Sequence, residues 1–249
     1  MLEIRGLSKR FGGVVATDGV TLEIARDEVH ALIGPNGAGK TTIVAQLSGS
    51  LSPDAGEIRF LGANLTRAPQ HARVRAGLAR SYQITSIFKR FTVLDNLALA
   101  VQATAGSSLS FWRPVATEKA LFDAAGAIAA DIGLGERLGA IAGTLAHGEQ
   151  RVLEVGLALA TRPKLVLLDE PMAGMGPQES QRMIELIDRT RSRVAVLLVE
   201  HDMDAVFRLA DRISVLVNGR LIATGTPAEV RANAEVRRAY LGDDVAAAG

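Results

Sequence analysis

The sequence contains no cysteine, which removes thiol nucleophiles, Cys-ligated metals and disulfide staples from consideration and fits a reducing compartment. It also lacks an excess of charge of either sign. Its 28 Lys and Arg stand against 27 Asp and Glu, so no broad nucleic-acid-binding surface and no nucleic-acid partner are expected. No apolar run approaches the roughly 18 residues of a membrane span, and the opening Met1–Gly13 has no apolar signal core. Long-range repeats and low-complexity linkers are absent as well. If the protein serves a membrane, it is expected to do so from the water side.

What is present is a chain of 249 residues, 48% hydrophobic, able to bury a sizeable core as one large α/β unit. Short strands are expected at Leu2–Leu7, Val20–Ile24 and Val29–Ile33, broken by Gly12-Gly13 and charged turns. From Gly39 the pattern turns helical, with Ile43, Val44 and Leu47 on one face, until Pro53; a strand at Glu57–Leu61 follows. A mostly helical, Ala-rich block spans about 84–146. Within it Thr92 and Asp95 resemble a helix start, Phe111-Trp112-Arg113-Pro114 a loop, and Thr117 the cap of a helix over Ala120–Asp131. After Gly148 a helix ends before Pro163. Strand Leu165–Leu168, a helix from Pro177 and strand Val194–Val199 follow, the two strands apolar enough for a parallel sheet covered on both faces. Asn218-Gly219 between Ile213–Val217 and Leu221–Ala223 predicts a hairpin. Thr226-Pro227-Ala228-Glu229 predicts a capped helix, and the terminal Ala-Ala-Ala-Gly a frayed end.

Gly34-Pro35-Asn36-Gly37-Ala38-Gly39-Lys40-Thr41 matches G-x-x-x-x-G-K-[ST] between a strand and a helix, the context this phosphate-binding motif requires. Glycines let successive N–H groups turn inward on phosphate oxygens, and the helix N-terminus adds positive potential. Lys40 is placed to reach the β- and γ-phosphates and the Thr41 hydroxyl to ligate Mg²⁺. The buried strand Leu165–Leu168 ends in Asp169, a second candidate Mg²⁺ ligand, and Glu170 follows where it can orient or deprotonate an attacking water. A solvated Asp-Glu pair at a strand end is common. It becomes informative beside Lys40-Thr41.

With these motifs in this order, essentially the whole chain resembles the ATP-binding-cassette (ABC) ATPases. The resemblance implies one ABC-type P-loop domain over 1–249. Its mixed central α/β sheet would carry an N-terminal antiparallel β subdomain and an inserted helical signature subdomain at about 84–146. It also implies a nucleotide site built from Phe11 against adenine, Asn36, Gly37, Ala38, Gly39, Lys40, Thr41 and Thr42 around phosphate, and Thr41, Gln83 and Asp169 at Mg²⁺. Glu170, His201 and Gln83 would be the catalytic set, His201 matching the switch histidine and Gln83 the Q-loop glutamine that faces the membrane partner. Leu145-Ala146-His147-Gly148-Glu149-Gln150 aligns with the family signature Leu-Ser-Gly-Gly-Gln. Ala146, His147, Gly148 and Glu149 would therefore meet the γ-phosphate of a second subunit across a head-to-tail homodimer or heterodimer.

More narrowly, Phe91–Asn96, Leu145–Gln150, Glu170–Met175 and Ala239–Gly242 look like the bacterial branched-chain (hydrophobic) amino acid importers, whose relatives carry urea and short amides. That resemblance implies two integral-membrane permease subunits, a periplasmic binding protein acting indirectly, and a peripheral place on the cytoplasmic face of the inner membrane. A soluble ABC ATPase acting on DNA or ribosomes and a non-catalytic subunit that binds ATP only to hold a partner are the other readings. Ile87, Phe88 and Phe91 are either core or, for Phe88, an anchor on a permease helix. Two positions depart from the family: Ala146 replaces the signature serine and loses a hydroxyl donor, and Ala173-Gly174-Met175-Gly176-Pro177 lacks the Asp that usually ends this loop.

Overall fold

In a computed structural model, residues 1–81, 87–104 and 119–241 are described. Two sheets carry the fold. The first is antiparallel, in the order β2-β1-β4-β5, from β1 (Leu2–Phe11), β2 (Val14–Ile24), β4 (Ala55–Phe60) and β5 (Ala63–Asn64). The second has the order β10-β9-β3-β8-β7-β6, from β3 (Val29–Ile33), β6 (Leu78–Arg80), β7 (Leu165–Asp169), β8 (Ala195–Val199), β9 (Arg212–Val217) and β10 (Arg220–Gly225). Its strands are parallel except for β10, which returns antiparallel on β9 through the Asn218-Gly219 turn. Every residue of β3, β7 and β8 is buried, which is why these strands, apart from His30 and Asp169, read as apolar runs rather than alternating ones.

Helix α1 (Lys40–Ser48) lies between the sheets and buries Ile43, Val44 and Leu47 completely. Each such side chain contributes about 1.5–3 kcal/mol. Gly49, rather than Pro53, ends it. The first two strands run longer than expected because Gly12-Gly13 forms a tight hairpin turn and pairing continues to Phe11 and Val14. The short α2 (Gln70–Ala76) and β6 carry no periodic signal in the sequence; β6 exists because Leu78–Arg80 pairs with Leu165–Leu167 of β7.

Helices α3 (Val93–Thr104) and α4 (Lys119–Asp131) fall between β6 and β7 and pack on α5 (His147–Ala160). Thr92 Oγ1 accepts from Asp95 N, and the Asp95 carboxylate accepts from Thr92 N and Oγ1, fixing the start of α3. The expected loop at Phe111–Pro114, the Thr117 cap and the last eight residues lie outside the described residues. Helices α6 (Pro177–Thr190), α7 (Met203–Leu209) and α8 (Pro227–Ala232) complete the main elements, α8 starting at the Thr226–Glu229 capping box.

One polar seam crosses the buried sheet. Glu28 Oε1 lies 2.6 Å from His30 Nδ1, His30 Nε2 lies 2.8 Å from Ser214 Oγ, and Ser214 Oγ lies 2.7 Å from Thr224 Oγ1. Burial pushes the Glu28 carboxyl up, but the bonds to His30 and from Ala25 N–H outweigh it and the net shift is downward. The Ser-His-Glu order is that of a nucleophile relay. With His30 and Ser214 wholly buried, it is instead a satisfied core network tying β3, β9 and β10 together.

Candidate active site

The parallel strands bring three loops to one edge. Val199 is in register with both Leu32 of β3 and Asp169 of β7, so the segments after β3, β7 and β8 leave the sheet at the same level. Such a crevice beyond the carboxyl ends of the strands is where open α/β sheets bind ligands.

The loop after β3 curls from Gly34 into α1. At Gly34 (φ +151) a Cβ would lie 2.0 Å from the Leu216 carbonyl oxygen, and at Gly39 (φ +106) 2.1 Å from that of Ala16. The turn is therefore gripped between the backbones of β9 and β2, and only glycine fits at either contact. Gly219 completes the grip: its N–H donates to Ala38 O and its carbonyl accepts from Asp18 N. Asn36, Gly37 and Thr41 stay exposed on the open side, with Thr42 half-buried beneath. Lys40, 7% exposed, bends back and donates from Nζ to Gly34 O at 2.6 Å and Pro35 O at 3.0 Å. Burial lowers its pKa, and the nearby Glu170 and Asp169 carboxylates oppose that fall. One ammonium and two carboxylates from different loops thus share one electrostatic environment.

Asp169 is 2% exposed. Its Oδ2 accepts from Arg80 Nη2 at 3.0 Å, while Oδ1 is buried with no hydrogen-bond partner among the described residues. Burial pushes its pKa up; Arg80 pulls it down. A buried carboxylate oxygen left unsatisfied is costly unless a cation or donor completes it. With the exposed Thr41 hydroxyl it offers the few hard oxygen donors that suit Mg²⁺, which keeps waters and substrate phosphates for the rest of its shell. The residues fit that ion. Glu170 follows in a left-handed conformation (φ +50), which a non-glycine residue holds only where the surroundings impose it. Its N–H donates to Val199 O at 2.8 Å, so strand β8 supplies the constraint.

His201, after β8, is solvent-facing and sits beside Glu200, whose Oε2 accepts from His201 N at 3.1 Å and lies 3.7 Å from its Nδ1. Phe11, half exposed at the end of β1, has Lys9 Nζ 5.7 Å from its ring centroid. Ala146 and His147 are exposed at the start of α5, Gly148 is buried against Glu179, and the His147 ring rests on Gly174. Glu149 caps the helix by accepting from Ala146 N at 3.1 Å and pairs with Arg137 Nε at 3.2 Å. Among the described residues no hydrogen bond or ion pair joins Ala146–Glu149 to the loop 34–42 of the same chain.

Residues 17–173 match the family model described as "ABC transporter". The chain belongs to the ABC transporter ATP-binding family. Residues 220–246 match a second model, "Branched-chain amino acid ATP-binding cassette transporter". The chain is 39% identical over 250 residues to the high-affinity branched-chain amino acid transport ATP-binding protein BraF of Pseudomonas aeruginosa, covering 98% of both proteins. Against LivG of Escherichia coli, which bears the same description, it is 39% identical over 253 residues, again 98% of each. Among solved structures it resembles the ADP conformation of MJ1267, an ATP-binding cassette of an ABC transporter, with TM-score 0.85 and 28% identity over 98% of this chain and 99% of that one. A nucleotide-free cassette from an ABC transporter aligns with TM-score 0.82 at 26% identity, covering 99% and 97%.

As an ABC cassette the chain binds and hydrolyses ATP as a subunit of a transporter. The loops after β3 and β7 bring Lys40, Asp169 and Glu170 of the expected set together, and His201 stands on the adjoining loop after β8. Gln83 lies outside the described residues. Two residues at this edge have no motif to announce them. Arg80 is legible only once β6 is seen to pair with β7. Glu200 has a weaker signal, a carboxylate directly after a strand with no other polar residue.

Proposed function

We propose that this chain energises import of branched-chain or other hydrophobic amino acids. Residues 220–246, with their match to the branched-chain amino acid transporter model, carry that reading; urea or short amides are the alternative cargo. Two such cassettes, identical or different, would sandwich ATP head to tail beneath two integral-membrane permeases. A periplasmic binding protein would deliver the cargo, and the cassettes would lie peripherally on the cytoplasmic face of the inner membrane. Among the described residues no helix is long and apolar enough to cross a membrane.

Within each sandwich Lys40 would trade its contacts with Gly34 O and Pro35 O for the β- and γ-phosphates, and the N–H groups of Asn36–Thr42 would hold their oxygens. Phe11 would cover adenine. Thr41, Asp169 and Gln83 would hold Mg²⁺, which supplies charge neutralisation on the phosphates. Glu170 would take the proton of the attacking water and His201 would steady the γ-phosphate. Ala146–Glu149 would meet that phosphate from the opposite subunit, their helix N–H groups favouring its charge.

The test is ATP-dependent uptake into proteoliposomes containing the chain, its permeases and binding protein. Accumulation of labelled leucine without urea is expected. Uptake of urea or acetamide with no leucine would overturn the cargo assignment.

A further inference from the structure

Strand β8 is apolar and fully buried to Val199, yet the next residue is a carboxylate only 1% exposed. A buried carboxylate is stable only if its oxygens are satisfied. Those of Glu200 are satisfied by main-chain donors from two loops. Oε1 accepts from Met172 N at 2.9 Å, Oε2 accepts from His201 N at 3.1 Å, and the Asp202 N–H also bonds the group.

The two loops are those that carry the catalytic candidates. Glu170 N is already bound to Val199 O. The segment Glu170–Met172 is therefore tied to Val199–Glu200 at both ends, and Glu170 is held between the ties in its left-handed conformation. Beyond Met172 the chain turns through Met175 N to Met172 O and passes Gly174 under the His147 ring. One side chain joins the histidine loop, the Glu170 loop and, through Gly174, the start of α5.

We infer that Glu200 is a positioning residue that fixes the Glu170 loop to the His201 loop, so that general base and switch histidine keep one relative geometry during hydrolysis. This deepens the proposed function and rests on its reading of Glu170 and His201. Glu200 is given no role in binding nucleotide, because its hydrogen bonds are to main-chain N–H groups of the loops after β7 and β8 and, among the described residues, none is to the loop 34–42. A misplacement of about 1 Å is enough to cost on the order of 100-fold in rate.

The experiment uses the full chain in its transporter complex, comparing Glu200→Ala, Glu200→Gln, His201→Ala and the Glu200→Ala/His201→Ala pair. Binding of MgATP, kcat, KM and thermal unfolding are measured together. Glu200→Ala is expected to lower kcat about 10- to 100-fold while the MgATP Kd changes less than about twofold. It should cost little more in the His201→Ala background than His201→Ala costs alone, because coupled residues are non-additive. Glu200→Gln keeps an acceptor for Met172 N but turns its NH₂ toward the His201 and Asp202 N–H groups, so partial recovery of kcat is expected. Equal losses in kcat and ATP affinity, or full additivity with His201→Ala, would leave Glu200 as a loop fastener and overturn the inference. If Glu200→Ala does not fold, the Gln variant and its His201→Ala pair decide by the same criteria. Glu170→Gln is run in parallel: wild-type turnover there would sink the reading of the site itself, independently of what Glu200 does.

Discussion

Arg80 donates from Nη2 to Oδ2 of Asp169 at 3.0 Å, while the other oxygen of that buried carboxylate has no hydrogen-bond partner among the described residues. The pair joins the last residue of β6 to the last residue of β7, so an edge strand of three residues holds a metal-ligand candidate in place.

Removing one partner of a buried ion pair typically costs about 3–5 kcal/mol, and Arg80→Ala is expected to fall near the lower end because Asp169 can protonate. The sign of the pH dependence follows from burial, which already raises the folded-state pKa of Asp169. Without Arg80 that pKa rises further, the folded state binds the extra proton, and stability declines as pH rises through it. Urea unfolding of wild type and variant should show a larger deficit at neutral than at mildly acid pH. A deficit that grows on acidification would contradict this account.

Glu170→Gln is expected to keep ATP affinity and stop turnover. The amide preserves the N–H bond to Val199 O and the local fold, but it cannot accept the proton of water, a contribution of about 10²–10⁴ in rate. Calorimetry with ATP and steady-state hydrolysis on the same sample check both halves. Turnover at the wild-type rate would remove Glu170 from the mechanism.

Ala146 lacks the hydroxyl that could meet a phosphate oxygen, a bond to a charged group contributing roughly 1.5–3 kcal/mol. His147 is exposed and rests on Gly174 of its own chain, which favours reading it as a surface residue rather than the missing donor. Ala146→Ser is therefore expected to raise hydrolysis by the assembled dimer up to about tenfold, with His147→Gly nearly neutral. A large loss in His147→Gly without gain in Ala146→Ser would make the imidazole the functional donor.

Phe88 is 56% exposed and stacks on the exposed Phe91 with ring centroids 5.5 Å apart, whereas Ile87 is buried. Asn96 presents the turn, accepting from Phe88 N at 2.7 Å and donating to Phe88 O at 3.1 Å. Phe88 also borders a groove of about 430 Å³ floored by Leu99, Leu157 and Ala158. Phe88→Glu is expected to leave folding and ATP binding of the isolated chain unchanged while preventing assembly with the permeases. Co-purification with the permeases and thermal unfolding test it; a variant that unfolds would return Phe88 to the core.

The elements that position the cradle were legible because their signals are local. The glycines and Lys40-Thr41 sit between a short, mostly apolar strand and a helix with one apolar face, and Asn218-Gly219 and Thr226–Glu229 specify turn chemistry directly. What escaped depends on pairing across long separations. Leu78–Arg80 becomes a strand only beside Leu165–Leu167, and Arg80 matters only because that register sets it against Asp169. Phe88 and Phe91 were ambiguous between core and interface for a related reason. Periodicity says which residues share a face, and burial says whether another element covers it.

The grip on Gly34 and Gly39 has a consequence for biosynthesis. The phosphate loop is made early, after the Ala16 backbone that meets Gly39, but the backbone that closes on Gly34 and Ala38 comes from Leu216 and Gly219, late in the chain. Contacts this distant in sequence form late, since loop closure must precede their reward. A chain that stops short of β9 holds the whole motif yet lacks the Leu216 and Gly219 contacts to it. The shape of the phosphate loop thus depends on the chain as far as the turn between β9 and β10.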